Sequence, residues 1–124
     1  MTARKGASAP GKLMVSGEYA VLEGSVAVVA SAGARVSALW SPDGIDRSVS
    51  RSDDSSQSRP LPPEAALTRR LAEHRVGKVE SALVIDVTDL RKSGRKLGLG
   101  SSAAASAAVA GAVFAHPVLR QPTC

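Results

Sequence analysis

The sequence predicts an α+β fold, and three stretches carry that prediction. Residues 81–87 (Ser-Ala-Leu-Val-Ile-Asp-Val) are a short, almost unbroken apolar run of the kind that forms a buried strand. Residues 64–75 (Glu-Ala-Ala-Leu-Thr-Arg-Arg-Leu-Ala-Glu-His-Arg) are mostly strong helix formers, with Leu67 and Leu71 spaced to share one helix face. The two prolines ahead of them, Pro62 and Pro63, suit a helix start. Residues 103–115 are an alanine-rich run, apolar on every side, and such a helix is normally buried inside a larger body.

A chain of 124 residues has room for one domain, and an apolar share of 44% allows a core. Aromatic residues make up only 2%, so Ala and Val must fill most of that core, and each buries little area. The net charge of +5 calls for an acidic partner, either a phosphorylated small molecule or nucleic acid. Nucleic acid is the weaker of the two, because the basic residues are not interleaved with stacking aromatics. The single cysteine, Cys124, cannot form an intrachain disulfide, which fits a reducing compartment. No apolar leader follows the basic residues near Met1, and no unbroken apolar run reaches the roughly 18 residues of a membrane span. A cytoplasmic protein with no membrane partner is the expectation.

Taken in order, residues 9–24 open on a turn signal, Pro10-Gly11, followed by a short apolar strand at residues 13–15 and a break at Gly17. Glu18 and Tyr19 begin a short element that ends at Gly24. Residues 25–30 and 34–40 read as a hairpin of two strands around a Ser31-Ala32-Gly33 turn, the first apolar enough to be central. Residues 41–63 hold few large apolar side chains and are expected to be a long loop or disordered insertion. Asp86 reads as a strand-end carboxylate, and neither His74 nor His116 belongs to a metal-binding or catalytic constellation. Residues 91–97 form a basic connector, with Arg91, Lys92, Arg95 and Lys96 close together.

That connector leads into the stretch with the most chemistry, Lys96-Leu97-Gly98-Leu99-Gly100-Ser101-Ser102-Ala103-Ala104. Gly98 and Gly100 lack the Cβ atoms that would keep backbone from closing around a ligand. Ser101 or Ser102 can cap a helix starting near Ala103. The first turn of that helix offers unpaired N–H groups and the positive end of the helix dipole, which together favour a phosphate. The stretch also fits G-x-G-x-x-A, the dinucleotide-binding fingerprint. That motif needs a strand directly before it and an acidic residue about 20 positions later, and neither is present. A Walker-type loop fails for want of a closing Gly-Lys-Ser/Thr.

Two motifs in this order resemble the galactokinase, homoserine kinase, mevalonate kinase and phosphomevalonate kinase (GHMP) superfamily. Pro10-Gly11-Lys12-Leu13-Met14-Val15-Ser16-Gly17-Glu18-Tyr19-Ala20-Val21-Leu22-Glu23-Gly24 is similar to its first motif, and residues 96–104 are similar to its ATP-binding motif. The basic residue ahead of Gly-Leu-Gly-Ser-Ser resembles the phosphomevalonate kinases most. The resemblance implies the N-terminal half of a ribosomal-protein-S5-domain-2-like fold, incomplete at the C-terminus. It would consist of one partial domain over residues 1–115 and an irregular tail over 116–124.

The implied activity is an ATP-dependent small-molecule kinase of isoprenoid biosynthesis, acting on phosphomevalonate or mevalonate. ATP would lie on Lys96, Gly98, Leu99, Gly100, Ser101, Ser102 and Ala103, with Ser102 helping to hold Mg²⁺. Lys12 would stabilise charge during transfer, and Lys12, Gly17, Glu18 and Tyr19 would stand by the phosphate acceptor. No Asp or Glu follows Ser102, so no residue matches the family's catalytic aspartate or acidic magnesium ligand. The expectation is a truncated chain that binds nucleotide weakly, needs the missing half for transfer, and does not catalyse alone. A small basic nucleic-acid-binding protein and an inactive remnant are the alternatives.

Overall fold

The computed structural model describes residues 6–42, 44–51, 56–92 and 95–116. They form a five-stranded sheet, a two-stranded ribbon and two helices. In chain order the elements are β1 (Gly6–Ser16), β2 (Val28–Ser41), β3 (Arg47–Arg51), β4 (Ser56–Arg59), α1 (Pro63–Val76), β5 (Ala82–Asp86), β6 (Arg91–Lys92), β7 (Arg95–Lys96) and α2 (Ser101–Phe114). The main sheet runs β1-β2-β5-β3-β4, antiparallel except where β3 lies parallel to β5. The tail after residue 116 lies outside the described residues.

Residues 9–40 are built differently from the expectation. Pro10-Gly11 does not turn the chain: β1 runs straight through it. Pro10 is tolerated because β1 is an edge strand and its outer side needs no ladder donor. Nor do residues 25–40 make a hairpin, since β2 is one continuous strand paired with β1. The register passes from Pro10↔Arg35 to Lys12↔Ser31, which leaves Ala32-Gly33-Ala34 opposite Gly11. The turn signal at residues 31–33 is therefore a bulge, one of the places where a glycine serves a strand without ending it. Val28 and Val29, expected at the centre of the sheet, are half exposed.

Residues 41–63 are a second correction, because they contain β3 and β4. What orders β3 is the backbone ladder offered by the buried strand β5, with Asp46 accepting the Leu83 N–H at 2.9 Å. Residues 43 and 52–55 of the stretch lie outside the described residues.

Helix α1 starts at Pro63, as the proline pair indicates, but its packed face is not the expected one. Ala65 and Ala72 are buried, whereas Leu67 and Leu71 are 54% and 60% exposed. Helix α2 lies on β1 and β2 and carries α1 along its flank. Its contacts are small: Ala104, Ala105, Ala108 and Ala112 are buried with Val109 and Val113. Ala107 and Phe114 face outward, so this helix is not covered on every side. The largest fully buried side chains are Leu83, Ile85 and Leu90, joined by Val36, Val109 and Val113. Trp40 closes one end of the core, its Nε1–H donating to the Ala112 carbonyl at 3.1 Å with the His116 ring edge-on to it.

Candidate functional site

The site is built where the loop before α2 meets the middle of β1. The chain leaves β5 through a 3-10 turn at Thr88–Leu90, and the β6–β7 ribbon returns it, Arg91 paired with Lys96 and Lys92 with Arg95. The basic connector is thus a hairpin. The Leu97 N–H donates to the Leu90 carbonyl at 3.0 Å, which fixes the start of the glycine loop. The side chains of residues 92–96, including that of Lys96, lie outside the described residues.

Gly98 and Gly100 have φ values of +74° and +72°, the left-handed conformation that other residues adopt only at a cost. Gly100 is the N-cap residue of α2, with no side-chain cap hydrogen bond, and its carbonyl accepts the Ala104 N–H at 3.1 Å. This corrects two expectations: the helix starts at Ser101 rather than near Ala103, and neither serine caps it. The physical reason is the left-handed glycine, which turns the chain into the helix directly. Ser101 and Ser102 line a pocket of about 70 Å³ beside the helix start, together with Ser48, Glu64 and Arg91.

Lys12 reaches the same place from β1. Its backbone N–H donates to the Leu99 carbonyl at 2.7 Å, so the edge of the sheet and the glycine loop are joined. Its side-chain stem crosses Gly100, where an added Cβ would stand 2.9 Å from Lys12 Cγ and 3.3 Å from Cε. The side chain is otherwise exposed and makes no ion pair among the described residues. Lys12 therefore adds its charge at the positive end of the α2 dipole, while Arg91 lines the small pocket on the helix start together with Glu64.

Lys12 and residues 98–103 are thus brought together. Gly17, Glu18 and Tyr19 lie elsewhere, past the end of β1, about 13 Å of strand beyond Lys12 at the usual rise per residue. Gly17 (φ +82°) is pressed against the segment leading into β2, where an added Cβ would collide with the Val26 carbonyl oxygen. Glu18 is exposed and Tyr19 is 78% exposed.

Mg²⁺ prefers an octahedron of oxygens, with one or two carboxylates and the rest from water and phosphate. Ser102 shares its pocket with Glu64, but no group of three or more His, Cys, Asp or Glu able to hold a metal exists among the described residues. These residues do not make a magnesium site by themselves. Glu64 and Ser48, which come from α1 and β3, carry no motif that marks them in the sequence. Gly11, which adjoins Lys12 and is buried against Leu99, reads there only as part of a turn signal and a motif. A larger cavity of about 460 Å³ lies elsewhere, where Asp46, Arg69, Glu73 and Lys78 balance their charges, and no motif residue lines it. Among the described residues no helix is long and apolar enough to cross a membrane.

The mixed sheet with two helices is an α+β fold similar to part of a GHMP-type kinase. The solved structures it resembles include a Lin0012 protein from Listeria innocua, 30% identical over 86% of this chain and 35% of that one, with a TM-score of 0.60. They also include Streptococcus pneumoniae phosphomevalonate kinase in complex with phosphomevalonate and AMPPNP, 26% identical over 94% of this chain and 37% of that one, with a TM-score of 0.57. The chain spans little more than a third of the length of either. A scan of protein-family models and a search of curated proteins return no match.

Proposed function

We propose that the chain is the nucleotide-phosphate-binding part of an ATP-dependent small-molecule kinase of the phosphomevalonate kinase type. One observation carries the reading: Lys12 from the first motif lies directly on Gly100 of the second, at the positive end of α2. A cation at that end of a helix is electrostatically unfavourable unless an anion joins it. A polyphosphate is the anion that would take both, its oxygens accepting from the first N–H groups of α2 and the Ser101 and Ser102 hydroxyls while Lys12 neutralises charge.

Phosphoryl transfer relies on positioning and charge neutralisation, and Lys12 supplies the second at the loop. The acceptor would approach from the β1 end that carries Gly17, Glu18 and Tyr19, with the neighbour's phosphomevalonate as the model substrate. No acidic residue follows Ser102, so the chain alone is expected to bind nucleotide and not to transfer phosphate.

The test is calorimetric titration of the purified chain with AMPPNP, then a phosphoryl-transfer assay with ATP, Mg²⁺ and phosphomevalonate. Binding that Lys12→Met weakens by about tenfold, the scale of one charge-assisted hydrogen bond, supports the reading. An affinity for RNA that falls steeply with salt and that ATP does not displace would replace it with the nucleic-acid-binding alternative. Turnover by the chain alone would overturn the inactive-fragment part.

A further inference from the structure

We propose that Gly11 is a positioning residue for the phosphate-binding loop, an inference that rests on the function proposed above. Gly11 is buried in β1, opposite the Ala32-Gly33-Ala34 bulge. A Cβ at this position would stand 2.7 Å from the Leu99 carbonyl oxygen, 3.1 Å from Leu99 Cβ and 3.1 Å from Leu90 Cδ2. Its φ is not left-handed, so glycine is required there by close approach and not by backbone conformation.

The oxygen it would strike is the one that accepts the Lys12 N–H, and it sits between the two left-handed glycines of the loop. A side chain at position 11 must move backbone, which has no rotamer to yield with. The shift falls on Leu99, and from there on Gly100, the Lys12 stem and the first turn of α2. The missing side chain of Gly11 thus sets the distance between the lysine and the helix start. Gly33 is the matched control: it lies in the facing bulge, has no left-handed φ, and has nothing within 4 Å of an added Cβ.

The experiment compares wild type, Gly11→Ala and Gly33→Ala by AMPPNP titration and by amide hydrogen exchange. In Gly11→Ala the Lys12 amide should exchange about tenfold faster or more, while the Ala38 amide in the core of β2 keeps its protection. AMPPNP affinity should fall by about tenfold or more, the scale of a lost charge-assisted hydrogen bond, and Gly33→Ala should match wild type in both. Unchanged Lys12 exchange and unchanged affinity in Gly11→Ala would overturn the inference.

If Gly11→Ala does not fold, the wild type decides. AMPPNP that slows Lys12 exchange more than Ala38 exchange supports the coupling, and equal or absent slowing refutes it. A wild type that does not bind AMPPNP sinks the functional reading by itself. Faster Lys12 exchange in Gly11→Ala would then still show that Gly11 positions the loop.

Discussion

Replacing Arg69 with leucine tests what ties α1 to the sheet. The guanidinium donates to Asp46 Oδ1 at 2.6 Å and Glu73 Oε1 at 3.0 Å, and to the carbonyls of Val79 and Ser81 at 2.9 and 2.8 Å. It also lies 5.2 Å from the centre of the Trp40 ring, and the side chain is only 12% exposed. Leucine would keep much of the stem's volume and lose every donor.

Removing one partner of a buried ion pair costs about 3–5 kcal/mol when the other charge is stranded. Neither carboxylate is stranded in this case. Asp46 keeps the Leu83 N–H and is 37% exposed, so water can replace the arginine, and Glu73 keeps the Val79 N–H at 2.7 Å. What remains is two carbonyls without a donor, at about 1 kcal/mol each, and about 1 kcal/mol more for the weakened charge contacts.

Arg69→Leu should therefore destabilise the fold by about 3 kcal/mol, or about 10 °C in midpoint for a chain of this size. Far-UV circular dichroism on heating reads this directly. Arg69→Lys should fall between the two, since an ammonium cannot reach four acceptors with one planar fork. A shift of about 2 °C or less in Arg69→Leu would refute the reasoning, because it would mean that the network is not formed in solution.

Four further outcomes follow from the same geometry. Gly100→Ala should cost about 1–2 kcal/mol for its left-handed φ and weaken AMPPNP binding by about tenfold, as Lys12→Met does, read by thermal shift and calorimetry, because its methyl displaces the Lys12 stem. Gly17→Ala should cost at least about 2 kcal/mol in a urea melt, since the Cβ meets the backbone of Val26 and Ala27 just ahead of β2. Trp40→Phe should cost about 1–2 kcal/mol by the same assay, through the lost bond to Ala112 and the smaller ring. Leu67→Gln and Leu71→Gln should each change stability by no more than about 0.5 kcal/mol, because these leucines face solvent, and a larger loss would contradict the orientation of α1.

Much of the fold could be read in advance where a local signal and its tertiary use agree. Residues 81–87 are apolar apart from Ser81 and Asp86 because β5 is central, and the Pro62-Pro63 pair opens α1. The glycines of the loop were also legible, since φ values near +70° leave a direct mark in the residues, whereas Lys12 stood out only through the motif resemblance. Four features escaped because tertiary packing decided them. Leu67 and Leu71 had the spacing of a buried face, yet α1 needed its small residues there to approach α2. Ser31-Ala32-Gly33 had turn chemistry, but the same glycine serves a bulge when a long partner strand lies alongside. The polar strands β3 and β4 were invisible to any count of apolar residues, because their order comes from the ladder along β5. Glu64 and Ser48 reach the pocket beside Ser102 only through the packing of α1 and β3, which no local spacing encodes.

The alanine contact between α1 and α2 also determines how this protein can fail. Ala65, Ala72, Ala104, Ala105, Ala108 and Ala112 are each buried to 5% exposure or less, and almost every substitution at such a site adds volume. A leucine-rich core is damaged chiefly by truncation, which leaves holes. This interface has almost nothing to truncate and is damaged by growth, which pries the helices apart. A mutational scan should therefore show intolerance rising with side-chain size along both helices, the reverse of the ordinary core pattern. Because the glycine loop leads directly into α2, a methyl too many deep in that seam would be felt at Gly100 and at the Lys12 stem that lies on it.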